Sequence, residues 1–172
     1  MTDFLIFFLL VLSYDLLYGY MGHLSFGHML YYGTGAYATA MWIIYVNPNP
    51  LPALLFGVVT TALLSAIAGI VVVQVKGAAF ALINMAINEL GLFFIHTVIS
   101  DYTKGEDGII CTPDKLFGVF SLRNDLTAFF LVIVFFLATF VILRILTRSP
   151  YGVMIKSIKE NETRVKFLGY NT

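Results

Sequence analysis

Charged side chains are scarce in this chain of 172 residues. Only 12% of its residues are charged, whereas 59% are hydrophobic. Ordinary globular domains carry about 25% charged residues, so the composition predicts a membrane protein. Ten basic and ten acidic side chains give a formal net charge of zero. This balance leaves no basic surface that would attract nucleic acid, and we expect no nucleic-acid partner.

Cysteine pairs, metal-ligand clusters and phosphate-binding motifs are also missing. Cys111 is the single cysteine, so it has no partner for an internal disulfide and no second thiol at metal-ligand spacing. His23 and His28 would point about 140° apart on a continuous helix, and no cysteine or carboxylate stands at ligand spacing beside them. No glycine-rich segment carries the lysine and hydroxyl of a nucleotide-binding loop. We therefore expect no metal, no cofactor and no enzyme activity in this chain.

Hydrophobic runs of about 20 residues predict the membrane spans. They indicate an all-α, polytopic transmembrane helix bundle of about five spans within residues 1–147. The second span is the least regular, because it is rich in glycine, and the first is short and contains Asp15. The predicted spans lie near residues 4–19, 26–46, 51–75, 79–99 and 126–146.

The distribution of basic residues predicts the orientation, because cytoplasmic segments keep an excess of lysine and arginine. Six of the ten basic residues lie in the last 29 positions, so we expect that end in the cytoplasm. Five spans then place the N-terminus and the loop Ser100–Asn124 outside. The six residues are Arg144, Arg148, Lys156, Lys159, Arg164 and Lys166.

A soluble amphipathic helix is predicted within residues 148–172. Ser149 suits the N-cap, Pro150 suits the first helical position, and Gly169 suits the residue after the C-terminus, which brackets a helix of about 18 residues. The pattern leaves two interpretations open, a helix at the lipid interface or a docking helix for a cytosolic partner. Its apolar side consists of Tyr151, Met154, Ile155, Ile158, Val165 and Leu168.

The span 79–99 carries polar residues that are unusual in a membrane helix. Glu89 lies near its middle, where a charge costs roughly 2.5–3.5 kcal/mol on insertion scales, so we expect it on or beside a pathway. Asn84, Asn88 and His96 share an arc of about 140° with Glu89 on a helical projection. The asparagines could equally hydrogen-bond to neighbouring helices, and His96 is only weak evidence for membrane catalysis. The opposite, lipid-facing side would consist of Ile83, Ile87, Leu90, Phe94 and Val98.

The stretch Gly19–Tyr37 holds five glycines and two of the three histidines. Small residues let membrane helices approach closely, and a backbone break is tolerated where protein satisfies its polar groups. We therefore expect a break here, with Ser25 and His28 supplying hydrogen bonds that line a path or merely cap the break.

Four motifs, in order along nearly the whole chain, resemble those of the permease subunits of branched-chain amino acid ABC importers. The first is LLYGYMGHLSFGHMLYYGTGAYATA (Leu16–Ala40), similar to LLxGYxGLLSLGHxAFFGxGAYxxA. The second is VKGAAFALINMAINEL (Val75–Leu90), similar to RGxYFAxxTLAFxEI, which aligns Glu89 with the family's intramembrane glutamate. The third is TKGEDGI (Thr103–Ile109), similar to the external TGGxDGI loop of one of the two paired permeases. The fourth is RSPYGVMIKSIKENETRVKFLGYNT (Arg148–Thr172), similar to the coupling segment RSPFGRALxAIRENExAAxALGxN.

The resemblance implies half of a heterodimeric pore in a prokaryotic inner membrane, importing branched-chain or other hydrophobic amino acids. Its partners would be a second permease subunit, two cytosolic ATPase subunits and an extracytoplasmic substrate-binding protein, within the lipid bilayer. Related permeases carry urea or short amides, and an ATPase-independent channel or structural subunit is a further alternative. The coupling element would contact an ATPase through Tyr151, Ile155, Ile158, Glu160, Glu162 and Gly169.

Three departures from the family pattern bear on this expectation. Asp15 stands where the family usually has asparagine. Thr163, Arg164 and Lys166 replace an alanine-rich run, which predicts a more acidic surface on the ATPase partner. Family members also continue with further transmembrane helices after the coupling segment, which we expect either in a longer form of this chain or from another chain. We predict no transport by this polypeptide alone, a result that uptake of labelled leucine into vesicles would check and that measurable uptake would contradict.

Overall fold

The computed structural model describes residues 2–113, 124–167 and 169, so residues 114–123 of the predicted external loop lie outside the description. Every regular element in the described residues is helical, which confirms the all-α prediction. Two π-helical turns, Leu16–Tyr20 and Phe94–Val98, directly follow α1 and α4, and a short 3₁₀ turn covers Gly105–Asp107. The α-helices are α1 (Thr2–Asp15), α2 (His28–Tyr45), α3 (Pro50–Val72), α4 (Ala78–Phe93), α5 (Ser100–Thr103), α6 (Asp125–Arg148) and α7 (Pro150–Phe167).

Four helical segments of the described chain are long and apolar enough to cross a membrane. They are Thr2–Tyr20, Pro50–Val72, Ala78–Val98 and Asp125–Arg148, which correspond to four of the five predicted spans. The remaining predicted span, 26–46, forms α2, whose 18 residues include four tyrosines and two glycines. Such a helix rises about 27 Å, close to the roughly 30 Å of a hydrocarbon core, and its crossing of the membrane stays a prediction.

The described chain divides into two compact units. One is the continuous segment Ser25–Ala128, which contains α2 to α5. The other combines Met1–Leu24 with Phe129–Thr172 and contains α1, most of α6, and α7.

Within the first unit, α2 and α3 pack through small residues spaced four apart on each helix. These are Gly35 and Thr39 on α2, with Gly57 and Thr61 on α3. A Cβ atom at Gly35 would lie 3.0 Å from the Thr61 Oγ1, and one at Gly57 would overlap the Thr39 Oγ1. Both threonine hydroxyls donate 2.8 Å hydrogen bonds within their own helices, to the carbonyls of Gly35 and Gly57. Small residues at this spacing allow the close approach that the glycine-rich stretch predicted.

The connection between α2 and α3 has local causes in the sequence. The Asn49 side chain accepts a 3.2 Å hydrogen bond from the Leu51 N–H and so caps α3. Pro50 occupies the first helical position, where no intrahelical partner for an N–H exists. The rings of Trp42 and Phe56 then pack with their centroids 4.7 Å apart across the two helices.

The loop after α4 folds back onto the π-turn that ends this span. Thr103 is fully buried, and its hydroxyl donates a 2.7 Å hydrogen bond to the Ile95 carbonyl. The Gly105 N–H donates back to the same hydroxyl at 3.4 Å. Lys104 adopts a left-handed conformation, with φ at 58°, where the motif TGGxDGI has glycine. The hydrogen bonds of Thr103 therefore hold a turn that a lysine adopts at a cost.

In the second unit, α1 packs against α6 and α7 packs against the π-turn that follows α1. The rings of Phe8 and Phe136 meet edge to face, with centroids 6.4 Å apart. The Lys159 ammonium donates a 2.7 Å hydrogen bond to the Gly19 carbonyl. These contacts connect α7 to the polar end of the first span.

The α6–α7 junction confirms the predicted boundary of the C-terminal helix. The Ser149 hydroxyl accepts a 3.4 Å hydrogen bond from the Gly152 N–H, and Pro150 is the first residue of α7. A Cβ atom at Gly152 would overlap the Thr147 carbonyl oxygen, so the tight turn requires glycine. Gly169 has φ at 88°, as expected of the residue after a helix C-terminus.

The predicted continuous helix from Ser149 to Gly169 is wrong in one respect, because α7 breaks at Asn161. This residue has φ at −158° and ψ at 92°, which are not helical angles. Its side-chain oxygen accepts a 3.0 Å hydrogen bond from the Arg164 N–H, in the manner of an N-cap for a second short helix. The apolar side therefore does not continue unchanged past the break, and Leu168 and the Glu162 side chain lie outside the description.

We expect Gly57→Val to destabilise the α2–α3 pair, because the added side chain meets Thr39 and lies against the Gly35 backbone. The free energy of unfolding should fall by about 1–3 kcal/mol, the usual cost of overpacking. Gly69→Val in the same helix is the matched control, since a Cβ at Gly69 meets nothing within 4 Å. Unfolding followed by circular dichroism in mixed detergent micelles measures both, and equal losses would contradict this account of the packing.

Candidate functional site

The candidate site lies where the segment preceding α2 meets α4. Residues 22–27 belong to no helix, so the predicted break in the glycine-rich stretch is present. Ser25 is buried, with 4% of its surface exposed, and His28 begins α2 in a half-buried position.

Gly27 brings this segment against the backbone of α4. It is buried, and a Cβ atom added there would lie 2.6 Å from the carbonyl oxygen of Asn84 and 3.2 Å from its Cβ. A helical carbonyl oxygen cannot move aside without loss of its hydrogen bond, so only glycine fits. Asn84 is itself buried and donates a 2.8 Å hydrogen bond to the Phe80 carbonyl. The structure thus brings the Ser25–His28 segment next to Asn84.

A second close approach holds α2 to the same side of α4. A Cβ atom at Gly91 would overlap the Leu30 Cδ1, and Leu30 is buried at the start of α2. Gly91 lies seven residues after Asn84, two turns along one line of the helix. Gly91 was not among the residues predicted from the sequence, although its spacing from Asn84 was a usable signal. Asn161 in α7 was likewise not predicted, although asparagine is a preferred N-cap residue.

The four polar residues of the span 79–99 do not share one environment. Asn84 is buried and Asn88 is half-buried, whereas Glu89 and His96 are exposed in this chain. The exposed face of the helix follows helical spacing and contains Leu82, Met85, Ala86, Glu89, Phe93 and His96. On the side expected to face lipid, Leu90, Phe94 and Val98 are exposed, whereas Ile83 and Ile87 are half-buried. The helix therefore turns one part of its polar arc into the unit and the other part away from it.

Glu89 is the twelfth residue of the 21-residue segment Ala78–Val98. Its carboxylate is exposed among apolar neighbours, and hydrocarbon would leave such a group without hydrogen bonds. Protein, water or substrate must therefore cover this face. Glu89 therefore offers one hydrogen-bond acceptor group in apolar surroundings. Such an arrangement is suited to binding a ligand rather than to catalysis.

A metal centre finds no support in the part of the chain that the structure describes. No group of three or more histidine, cysteine, aspartate or glutamate side chains there could hold an ion. Cys111 is a free thiol in a half-buried position, in agreement with its interpretation as a loop cysteine.

The predicted coupling residues lie along α7 and just after it. Tyr151 and Glu160 are exposed, whereas Ile155 and Ile158 are half-buried. The structure places all of these before the break at Asn161. Gly169 follows the second short helix.

Comparison with known proteins identifies the family. The family model described as "Branched-chain amino acid transport system / permease component" matches residues 1–172. No curated protein and no solved structure matches the chain. The family match covers the whole sequence and agrees with the apolar, all-helical architecture. The chain therefore belongs to the family of permease components of branched-chain amino acid transport systems, as a multi-pass transmembrane transport protein.

Proposed function

We propose that the chain is a permease subunit of an ATP-driven importer for branched-chain or other hydrophobic amino acids. The family match over residues 1–172 carries this proposal. The importer would also contain a second permease subunit, two cytosolic ATPase subunits and an extracytoplasmic binding protein. The similarity of Thr103–Ile109 to the TGGxDGI loop supports a place as one of two paired permeases. The basic C-terminal segment supports a cytoplasmic location of α7 at a prokaryotic inner membrane.

The exposed face of α4 supports a role in the translocation path. A zwitterionic amino acid carries an ammonium group, which a carboxylate can bind through charge-assisted hydrogen bonds. Glu89 offers this acceptor, and the exposed Met85 and Phe93 offer apolar surface for an aliphatic side chain. A hydrophobic amino acid matches this combination of one charge and apolar surroundings.

The other candidate residues would act at the edge of this path. Asn84 and Asn88 lie on the same helix, and the break containing Ser25 and His28 reaches α4 at Asn84. A movement of that break would shift α4, because Gly27 leaves no gap between the two backbones. In this proposal, the contact between Gly27 and Asn84 transmits motion of the break to α4, the helix that carries Glu89.

We expect Glu89→Leu to lower amino acid uptake at least tenfold when the chain works within its complete transporter. Loss of a charge-assisted hydrogen bond of about 1.5–3 kcal/mol gives a change of this size. Uptake of labelled leucine by proteoliposomes measures it, with co-purification of the other subunits as the measure of assembly. Leu82→Ala is the control, because it alters the same exposed face of α4 but leaves the Glu89 carboxylate in place. Full uptake by an assembled Glu89→Leu transporter would remove Glu89 from the mechanism.

The contacts of α7 support a coupling role, because the part of α7 before the break at Asn161 is held near both of its ends. The Ser149 cap and the tight turn at Gly152 fix its start against α6. The hydrogen bond from Lys159 to the Gly19 carbonyl ties its later turns to the end of the first span. Motion imposed on α7 by a cytosolic ATPase would therefore reach two spans. The contact surface would contain Tyr151, Ile155, Ile158, Glu160, Glu162 and Gly169.

We expect a cysteine at Tyr151 to cross-link to an ATPase subunit in the complete transporter. The experiment uses a Cys111→Ser background, with Tyr151→Cys as the probe and Val141→Cys as the matched control. Both side chains are similarly exposed, at 57% and 51%, but Val141 lies within the span formed by α6. Cross-linking of Tyr151→Cys alone is the expected result, seen as a shifted band that contains the ATPase. Absence of any nucleotide-binding protein in the Tyr151→Cys products would favour an ATPase-independent channel instead.

A further inference from the structure

A pocket of about 380 Å³ lies within the unit that contains α1, most of α6, and α7. It is lined by the end of α1 and the π-turn that follows it, the last turns of α6 and the first turns of α7. Both α1 and α6 belong to membrane-spanning segments, so the pocket lies at the ends of two spans rather than in the middle of the hydrocarbon.

The charged lining of the pocket is predominantly basic. Arg144, Arg148 and Lys156 contribute three positive charges, and Asp15 contributes one negative charge. Their formal sum, +3 with −1, is +2. Among the described residues, no carboxylate forms an ion pair with Arg144 or Arg148. Two guanidinium groups are therefore available for an external anion.

The arrangement of these cations suits a phosphate group. Arg144 and Arg148 are four residues apart and lie on one face of α6, while the Lys156 ammonium lies 4.6 Å from the centroid of the Tyr20 ring. Guanidinium groups bind phosphate oxygens through paired hydrogen bonds, and a lysine adds a compact charge. One phosphate could thereby engage α6 and α7 together.

The remaining lining favours a lipid over a free phosphate ion. Leu12 and Leu16 contribute apolar surface from the first span, and Phe140 and Leu143 contribute it from α6. A free ion gains nothing from such surface, whereas the glycerol and upper acyl chains of a phospholipid would bury it. Basic pockets between transmembrane helices on the cytoplasmic side are suited to anionic lipid headgroups, and the positive-inside rule puts this end of α6 in the cytoplasm.

We propose that this pocket binds the phosphate headgroup of an anionic phospholipid, with Arg144, Arg148 and Lys156 as its ligands. The bound lipid offsets part of the excess positive charge and joins α7 to the end of α6. This inference does not rest on the proposed transport function, because it concerns only the membrane-embedded chain and its lipids.

The test compares lipid binding by the full chain and its variants. Native mass spectrometry of the purified chain in detergent, with phosphatidylglycerol or phosphatidylcholine added, counts the lipids retained. We expect retention of phosphatidylglycerol in preference to phosphatidylcholine. The double variant R144Q/R148Q should weaken phosphatidylglycerol binding about fivefold for each arginine removed, since one basic side chain near an anionic surface contributes about 1 kcal/mol. R164Q, in the tail outside the pocket, and the charge-conserving R144K/R148K should keep the preference.

Two further experiments distinguish a lipid phosphate from a free phosphate ion, and loss of binding from loss of folding. Inorganic phosphate added to the wild-type chain should not displace the lipid, and displacement would show a site for the free ion instead. Should R144Q/R148Q lose helical circular dichroism, photo-cross-linking of a phosphatidylglycerol probe to the wild-type chain decides the question. Labelling of peptides from the lining segments, 12–20, α6 and α7, is the expected outcome. Labelling elsewhere, or equal retention of both lipids, would overturn the proposal.

Discussion

Hydrocarbon offers no hydrogen bonds, and this constraint explains the local polar contacts of the long apolar helices. The hydroxyls of Thr39 and Thr61 donate to carbonyls of their own helices, and the Asn84 amide donates to the Phe80 carbonyl. These side chains are satisfied locally and leave the helix surfaces free to pack. Glu89 is the contrasting case, because its exposed carboxylate has apolar neighbours and needs cover from protein, water or substrate.

The close approach of helix backbones is a second consequence of the hydrocarbon surroundings. Lipid tails are as apolar as the side chains of the helices, so association depends on packing between helices. Gly27 and Gly91 bring the start of α2 against α4, and Gly57 brings α3 against α2. Close approaches at these glycines therefore position the candidate path residues near Asn84.

The ends of the spans follow different physics, because charge is tolerated there. The Lys159 ammonium reaches the Gly19 carbonyl, and Lys156 lies over the Tyr20 ring. The turn at Gly152 and the break at Asn161 give α7 a bounded first part. Contact with an ATPase and binding of a lipid headgroup would both occur at this polar boundary. Neither would require a charged group to enter the hydrocarbon core.

The sequence by itself determined the features that depend on local chemistry. Spans follow from composition, because partition into lipid depends on side chains one by one. Ser149 and Gly169 marked helix ends through their own capping and backbone preferences. The tertiary structure alone decided which part of the polar arc of α4 packs inward, and it alone placed Gly27 against Asn84. A helical projection gives the angles between side chains but not the position of the neighbouring helix. The basic pocket likewise needed the end of the first span to meet the α6–α7 junction, which is distant from it in sequence, and no local pattern encodes that meeting.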